Sequence, residues 1–188
     1  HHGDETIDMS ESTAIKVAFQ GEPGAYSEAA VLEYFHAQEV SSVPCETFEK
    51  VFTSVEDGSC QAGFIPIENS LAGSIHQNYD LLLKYSLWVT GEHSLRVSHC
   101  LIVRPGTRRP DIRRVISHPQ ALAQCSTCLA SLGGVQVEAV YDTAGSVKML
   151  AEEQRADTAA IAGIRARDLY GLPVLVDGIE DDHTNYTR

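Results

Sequence analysis

A carboxylate and an amide stand side by side where an apolar run ends. Phe64-Ile65-Pro66-Ile67 reads as a strand, and Glu68-Asn69 follows it directly. A polar pair at the exit of a buried strand is placed to meet a ligand, because open α/β sheets bind outside the carboxyl ends of their strands. Ser70 to Ser74 continue small and polar, and Ile75, Tyr79, Leu82 and Leu83 then recur at helical spacing. The stretch Phe64–Leu83 therefore predicts a strand, a polar turn and a helix start. A helix start presents unpaired N–H groups and partial positive charge, suited to a small anion or carboxylate.

Three other strand-to-helix turns carry the same kind of residue. Gly21–Ser27 brings Ser27, Ser117–Gln120 brings Ser117, His118 and Gln120, and Asp142–Ser146 brings Thr143 and Ala144. Each turn alone is satisfied by ordinary helix capping. Four of them, two in each half of the chain, point instead to one cleft with helix N-termini and hydroxyls on both walls. Gln120 and Gln124 are spaced i, i+4 and share a face, either as two amide contacts to one ligand or as an exposed face. His118 before Pro119 is an acid/base or a turn residue, and the proline favours the turn. His36, His76, His93, His99 and His183 have no companion at metal or triad spacing. No G-x-S-x-G, G-x-G-x-x-G or P-loop pattern occurs, so neither a nucleotide cofactor nor a metal is expected.

The bulk numbers exclude several classes. A net charge of -12 argues against nucleic acid, which needs a basic face. No run of about 18 apolar residues marks a membrane span. The five cysteines are odd in number and scattered, which is no disulfide framework. Cys125 and Cys128 form a CxxC, but the pattern places them several residues into a helix, whereas a redox pair belongs at a helix start. Structural thiols are the expectation. His1-His2-Gly3 reads as a tag remnant, and residues 1–13 as a disordered N-terminus.

The elements that must position these residues alternate. Strands are predicted at Ile15–Phe19, Ser42–Cys45 and Ala62–Ile67, with helices at Tyr26–His36 and from Thr47 through Val55 between them. Leu87–Glu92 and Val97–Val103 are extended and cross to a second lobe. There, strands at Arg114–Ser117, Val135–Val140 and Thr158–Ala162 alternate with helices at Gln120–Leu132, Val147–Gln154 and Ile164–Tyr170. Leu172–Val176 is extended again. This grammar predicts α/β lobes built on parallel strands with helices on both faces.

Five ordered stretches resemble one family, the catalytic domain of prephenate and arogenate dehydratases. They are Gly21-Glu22-Pro23-Gly24-Ala25-Tyr26-Ser27, Pro66-Ile67-Glu68-Asn69-Ser70, Ser117-His118-Pro119-Gln120-Ala121-Leu122-Ala123-Gln124-Cys125, Asp142-Thr143-Ala144 and Asn185-Tyr186-Thr187-Arg188. The resemblance runs from Ile15 to Arg188. Ser74–Leu83 and Asp177–Asp182 look most like the plant and algal type, which implies arogenate as substrate and a plastid location; otherwise the location would be cytoplasmic.

The resemblance implies two similar lobes with a central cleft, like the type II periplasmic binding proteins. Lobe 1 would hold about 14–92 plus 178–188, and lobe 2 about 93–177. It implies decarboxylating dehydration of arogenate to phenylalanine or of prephenate to phenylpyruvate, driven by aromatisation and needing no cofactor. Thr187 would donate to the leaving hydroxyl, with Glu68 and Asn69 as catalytic neighbours. Ser27, Ser70, Ser117, His118, Gln120, Gln124, Thr143, Ala144, Asn185 and Arg188 would bind substrate, Arg188 through its bidentate fork. Partners would be the small substrate and further copies of the chain in a homodimer or homotetramer, with no nucleic acid and no membrane. The family's motif continues into Phe after Thr-Arg, and its phenylalanine-sensing ACT domain is expected to be absent from this chain. Two other classes compete. One is a non-catalytic binder of a small carboxylate or amino acid. The other is a thiol-redox enzyme acting through Cys125 and Cys128.

Overall fold

A computed structural model of the chain describes residues 14–188; the tag remnant and disordered N-terminus expected over 1–13 lie outside the described residues. The first half contains β1 (Ile15–Gln20), α1 (Tyr26–Tyr34), β2 (Val40–Cys45), α2 (Phe48–Glu56), β3 (Ala62–Phe64), β4 (Glu68–Asn69), β5 (Gly73–Ser74) and α3 (His76–Lys84). The second contains β6 (Leu95–Arg96), β7 (Cys100–Val103), β8 (Arg114–Ser117), α4 (Pro119–Ala123), α5 (Ser126–Ser131), β9 (Gln136–Ala139), α6 (Thr143–Glu152), β10 (Thr158–Ala162), α7 (Ile164–Tyr170), β11 (Val174–Val176) and β12 (Tyr186–Thr187).

The first sheet has the order β2-β1-β3 and is parallel throughout. Its central strand buries Val17, Ala18 and Phe19 in succession, as a strand covered on both faces must. Thr47 caps α2 by accepting the Lys50 N–H at 3.1 Å, and the helix turns Val51 and Phe52 inward. The second sheet has the order β11-β7-β10-β8-β9. Its β8, β9 and β10 are parallel, but β7 runs antiparallel to β10 and β11, so this sheet is mixed where alternation predicts a parallel one.

Period-two alternation splits the second sheet's side chains between two cores. Leu101, Val103, Val115 and Ile161 pack under α4 and α5 with Ala121, Leu122 and Cys125. On the opposite face, Cys100, Ile102, Ile116 and Ala160 pack with Val147 and Leu150 of α6. That second cluster does not stop at the lobe. It also takes in Val17, Phe19, Ala25 and Val31 from β1 and α1, so one apolar core joins both halves. Gly24 marks a close approach: its φ is +95°, and a Cβ there would lie 2.9 Å from the Ala166 Cα of α7.

A third sheet, β5-β4-β12-β6, joins distant parts of the chain. The C-terminal strand lies in its centre, with Thr187 opposite both Asn69 and Leu95. Three expectations change here. The stretch after β3 is a β4–β5 hairpin, so Glu68 and Asn69 are strand residues and α3 begins only at His76. The helix expected over Gln120–Leu132 is broken at Gln124–Cys125. There the Gln124 carbonyl accepts the Asp181 N–H at 2.7 Å, and the Asp181 carboxylate takes the N–H groups of Ser126 and Thr127 at 3.0 and 2.9 Å. Helix α6 also starts earlier than expected, at Thr143, because the Asp142 side chain caps it through the Gly145 N–H at 2.8 Å.

Candidate active site

A cleft of about 300 Å³ opens between the sheets, and all four turns reach its wall. Helix α1 brings Tyr26 and Ser27, β4 brings Asn69, the start of α4 brings His118 and Gln120, and the start of α6 brings Asp142 and Thr143. Gln20, His93, His99, Gln124, Thr187 and Arg188 complete the polar lining, while Phe48, Phe64, Leu95 and Val97 add apolar surface. The N-cap of α1 is Ala25, which has no side-chain acceptor to offer, so the first turn of that helix keeps its N–H groups for a ligand. Positive potential from helix starts thus stands in a chain that is strongly acidic overall.

Thr187 is held in one orientation. Asn69 is buried, and its Oδ1 accepts the backbone N–H groups of Leu71 and Ala72 at 3.0 and 2.9 Å. Its Nδ2 therefore points the other way, to Asn185 Oδ1 at 2.7 Å and Thr187 Oγ1 at 3.0 Å. Thr187 Oγ1 receives a hydrogen, so its own hydroxyl hydrogen is left for the cleft. Arg188 beside it is held by two carboxylates, Glu68 Oε1 and Glu92 Oε2, each at 3.0 Å.

Five of the sequence-predicted residues do not line the cleft. Glu68 is turned onto Arg188. Ser70 is exposed on the hairpin, where its hydroxyl donates to the Thr184 carbonyl and accepts the Tyr186 N–H, both at 2.9 Å, fastening the C-terminal strand. Ser117 is fully buried and donates to the Ile161 carbonyl at 2.6 Å inside the second sheet. Ala144 is packed in the shared core. Asn185 is fully buried behind Asn69. Ser27, Asn69, His118, Gln120, Gln124, Thr143, Thr187 and Arg188 do meet at the cleft. The His118 Nδ1 accepts the Gln120 N–H at 3.1 Å, so this residue is at once the cap of α4 and part of the wall.

Gln20, Tyr26, His93, His99 and Asp142 also line the cleft, and residue spacing singles out none of them as a site group. The Tyr26 hydroxyl lies 2.5 Å from His99 Nδ1 and 2.9 Å from the Ser98 carbonyl. Burial lowers the pKa of His99 and raises that of Tyr26 well above the phenolic range. Burial likewise raises Asp142, with Glu22 nearby adding repulsion. Tyr26 could have been found as the first helical residue of an already suspected turn. Nothing local marks His99.

The break in the helix puts Cys125 at the N-cap of α5, contrary to the expectation that the CxxC lies within a helix. The thiols are nevertheless poorly suited to redox chemistry. Cys125 is buried and Cys128 half-buried, and burial pushes both pKa values up, where a reactive thiolate needs the reverse. Among the described residues, no group of three or more His, Cys, Asp or Glu side chains could hold a metal ion.

Residues 17–188 match the sequence model of the family described as prephenate dehydratase. Arogenate dehydratase 3, chloroplastic, of Arabidopsis thaliana is 51% identical over 175 residues, which are 93% of this chain and 41% of that protein. Arogenate dehydratase 1 of Petunia hybrida is 50% identical over 177 residues, 94% of this chain and again 41% of its own length. The chain thus spans about two fifths of the length of these relatives. Among solved structures, prephenate dehydratase of Arthrobacter aurescens in complex with L-Phe superposes with a TM-score of 0.84 at 26% identity, covering 92% of this chain and 59% of that one. A protein described as GqqA, a novel type of quorum quenching acylase, gives a TM-score of 0.83 at 37% identity over 92% of this chain and 61% of its own.

Proposed function

The chain belongs to the prephenate dehydratase family, and on that premise we propose that it carries out the decarboxylating dehydration of arogenate to phenylalanine, or of prephenate to phenylpyruvate, in phenylalanine biosynthesis. In the vocabulary of reaction classes this is a carbon–oxygen lyase. Relatives named arogenate dehydratase favour the amino substrate, and those named chloroplastic favour a plastid compartment. Assembly as a homodimer or homotetramer belongs to the same proposal.

The observation that carries the reading is the Thr187 hydroxyl, which accepts from Asn69 and so has its hydrogen available to the cleft. In the reaction the ring carboxylate leaves as CO2. Its bonding pair enters the ring, the ring hydroxyl departs, and one proton converts it to water. Thr187 stabilises that departure by donating a hydrogen bond to the developing hydroxide, an interaction stronger in the transition state than in the ground state. A threonine hydroxyl is too weak an acid to give up its proton alone, so solvent makes the proton good. The side-chain carboxylate of the substrate meets the open first turn of α1 with Ser27, and Thr143 at the start of α6. Glu68 and Glu92 hold Arg188 ready at the rim, where an incoming carboxylate can replace one of them.

Incubating the folded protein with arogenate and with prephenate, no cofactor added, tests the reading. Phenylalanine or phenylpyruvate should accumulate. Binding of both acids without turnover would transfer the protein to the class of carboxylate binders.

A further inference from the structure

We propose that Tyr26 and His99 are positioning residues which, through the amides of Gln124, Asn185 and Asn69, hold the Thr187 hydroxyl as a donor into the cleft. The inference rests on the dehydratase reading and extends it to groups that lie away from the reacting bond.

The directions of the hydrogen bonds follow one from another. Asn69 Oδ1 accepts two backbone N–H groups, which can only donate, so its Nδ2 must face Asn185 and Thr187. Asn185 consequently turns its oxygen to Asn69 and its nitrogen to Gln124 Oε1, 3.1 Å away. Gln124 Oε1 has a second neighbour, His99 Nε2 at 2.8 Å, which must therefore carry a hydrogen. A neutral imidazole with hydrogen on Nε2 leaves Nδ1 bare, and the single hydrogen of the Tyr26 hydroxyl is shared between that nitrogen at 2.5 Å and the Ser98 carbonyl at 2.9 Å. One backbone turn at Leu71 and Ala72 thus sets the polarity of the row from Asn69 through Asn185 and Gln124 to His99.

His99 and Asn185 are held from the side as well. His99 is 2% exposed, and its own N–H donates to Glu180 Oε2 at 3.0 Å while its carbonyl accepts the Ile179 N–H at 3.0 Å. Asn185 is fully buried. Such rows strengthen cooperatively when each group is satisfied, and a missing member leaves a buried amide free to rotate. Because Tyr26 belongs to α1 and His99 to the link just before β7, the row also ties the two walls of the cleft together.

The test compares His99→Leu, His99→Gln and Tyr26→Phe with the unaltered protein, measuring kcat and KM with arogenate and prephenate alongside a thermal melt. His99→Leu should lose up to about 100-fold in kcat with KM within about twofold, as a small displacement of the donor would produce. His99→Gln restores an N–H toward Gln124 and should recover most of that loss. Tyr26→Phe, which keeps the ring and its packing, should lose less than His99→Leu. Equal kcat in the leucine and glutamine variants, or losses that follow the melting temperature or appear only in KM, would overturn the proposal. A second readout needs no turnover: the ¹⁵N imidazole spectrum of the unaltered protein at pH 7 should show His99 as the neutral Nε2–H tautomer. An Nδ1–H tautomer or a protonated ring would sink the row. The expected tautomer in a protein that turns over neither acid would instead defeat the dehydratase reading and, with it, the positioning role.

Discussion

Asn69 Nδ2 and Thr187 Oγ1 lie 3.0 Å apart, although 118 residues separate them in sequence. The pairing of β4 with the C-terminal strand creates that contact, and it decides which way the threonine hydrogen points. Thr187→Val keeps the shape of the side chain and removes the donor. We expect kcat to fall by about 100- to 1000-fold, the usual cost of losing one transition-state donor. The circular-dichroism melt should stay within a few degrees, since the backbone pairing of β12 is untouched.

Asn69→Asp is nearly isosteric and reverses the logic of the contact. A carboxylate cannot donate, so the Thr187 hydroxyl would turn its hydrogen toward residue 69 and away from the cleft, while Asn185 Oδ1 would lose its donor. We expect kcat to drop by at least about 100-fold at neutral pH, with steady-state assays of both substrates as the check.

How far the sequence reaches is clear from these same residues. The strand–turn–helix alternation is legible because apolar period and turn chemistry are local, and Ile164–Tyr170 with Gly171 as its stop is read to the residue. The break at Gln124–Cys125 is invisible because Asp181, which satisfies the freed groups, arrives from 55 residues away. Ser117 looks like a site residue by its neighbours, yet its hydroxyl is spent on Ile161 inside the sheet. His99 looks alone because its companions Tyr26, Gln124 and Glu180 lie 73, 25 and 81 residues distant. Spacing reports the partners a residue has along the chain and not those across a cleft.

Asp181 gives a prediction in pH. Its bonds from the Ser126 hydroxyl and the Thr127 N–H hold the carboxyl at about 2, below the ordinary value for aspartate. A carboxyl with a depressed folded value stabilises the native state above its unfolded value of about 3.9, and that stability is lost as pH falls toward about 2. Asp181→Asn should lower stability at pH 7 by about 1 kcal/mol, the usual weight of a helix cap. It should also flatten the dependence of the melting temperature on pH between about 4 and 2. Thermal melts across that range decide it.

Gly24→Ala tests the approach of the two lobes. The residue sits at φ +95°, and the new methyl would meet the α7 backbone at 2.9 Å. Left-handed strain and overpacking together should cost about 2–4 kcal/mol in urea unfolding. Ser27 and Tyr26 follow immediately in the chain, so kcat should fall as well.

Cys128→Ser should leave turnover within about twofold, because the burial-raised thiols take no part in the chemistry. Loss of activity in this variant, with the melt unchanged, would revive a thiol mechanism.

The apolar cluster that runs from Val17 and Phe19 through Ala25 to Ile102, Val147 and Ala166 has a mechanical consequence. Two bodies that share one interior cannot swing open like jaws without exposing it to water, and each buried aliphatic side chain uncovered would cost about 1.5–3 kcal/mol. The distance between the Ser27 wall and the Gln120 wall is therefore a property of the resting protein. A ligand entering the cleft meets walls already spaced by that shared interior, and little of its binding free energy goes into bringing them together.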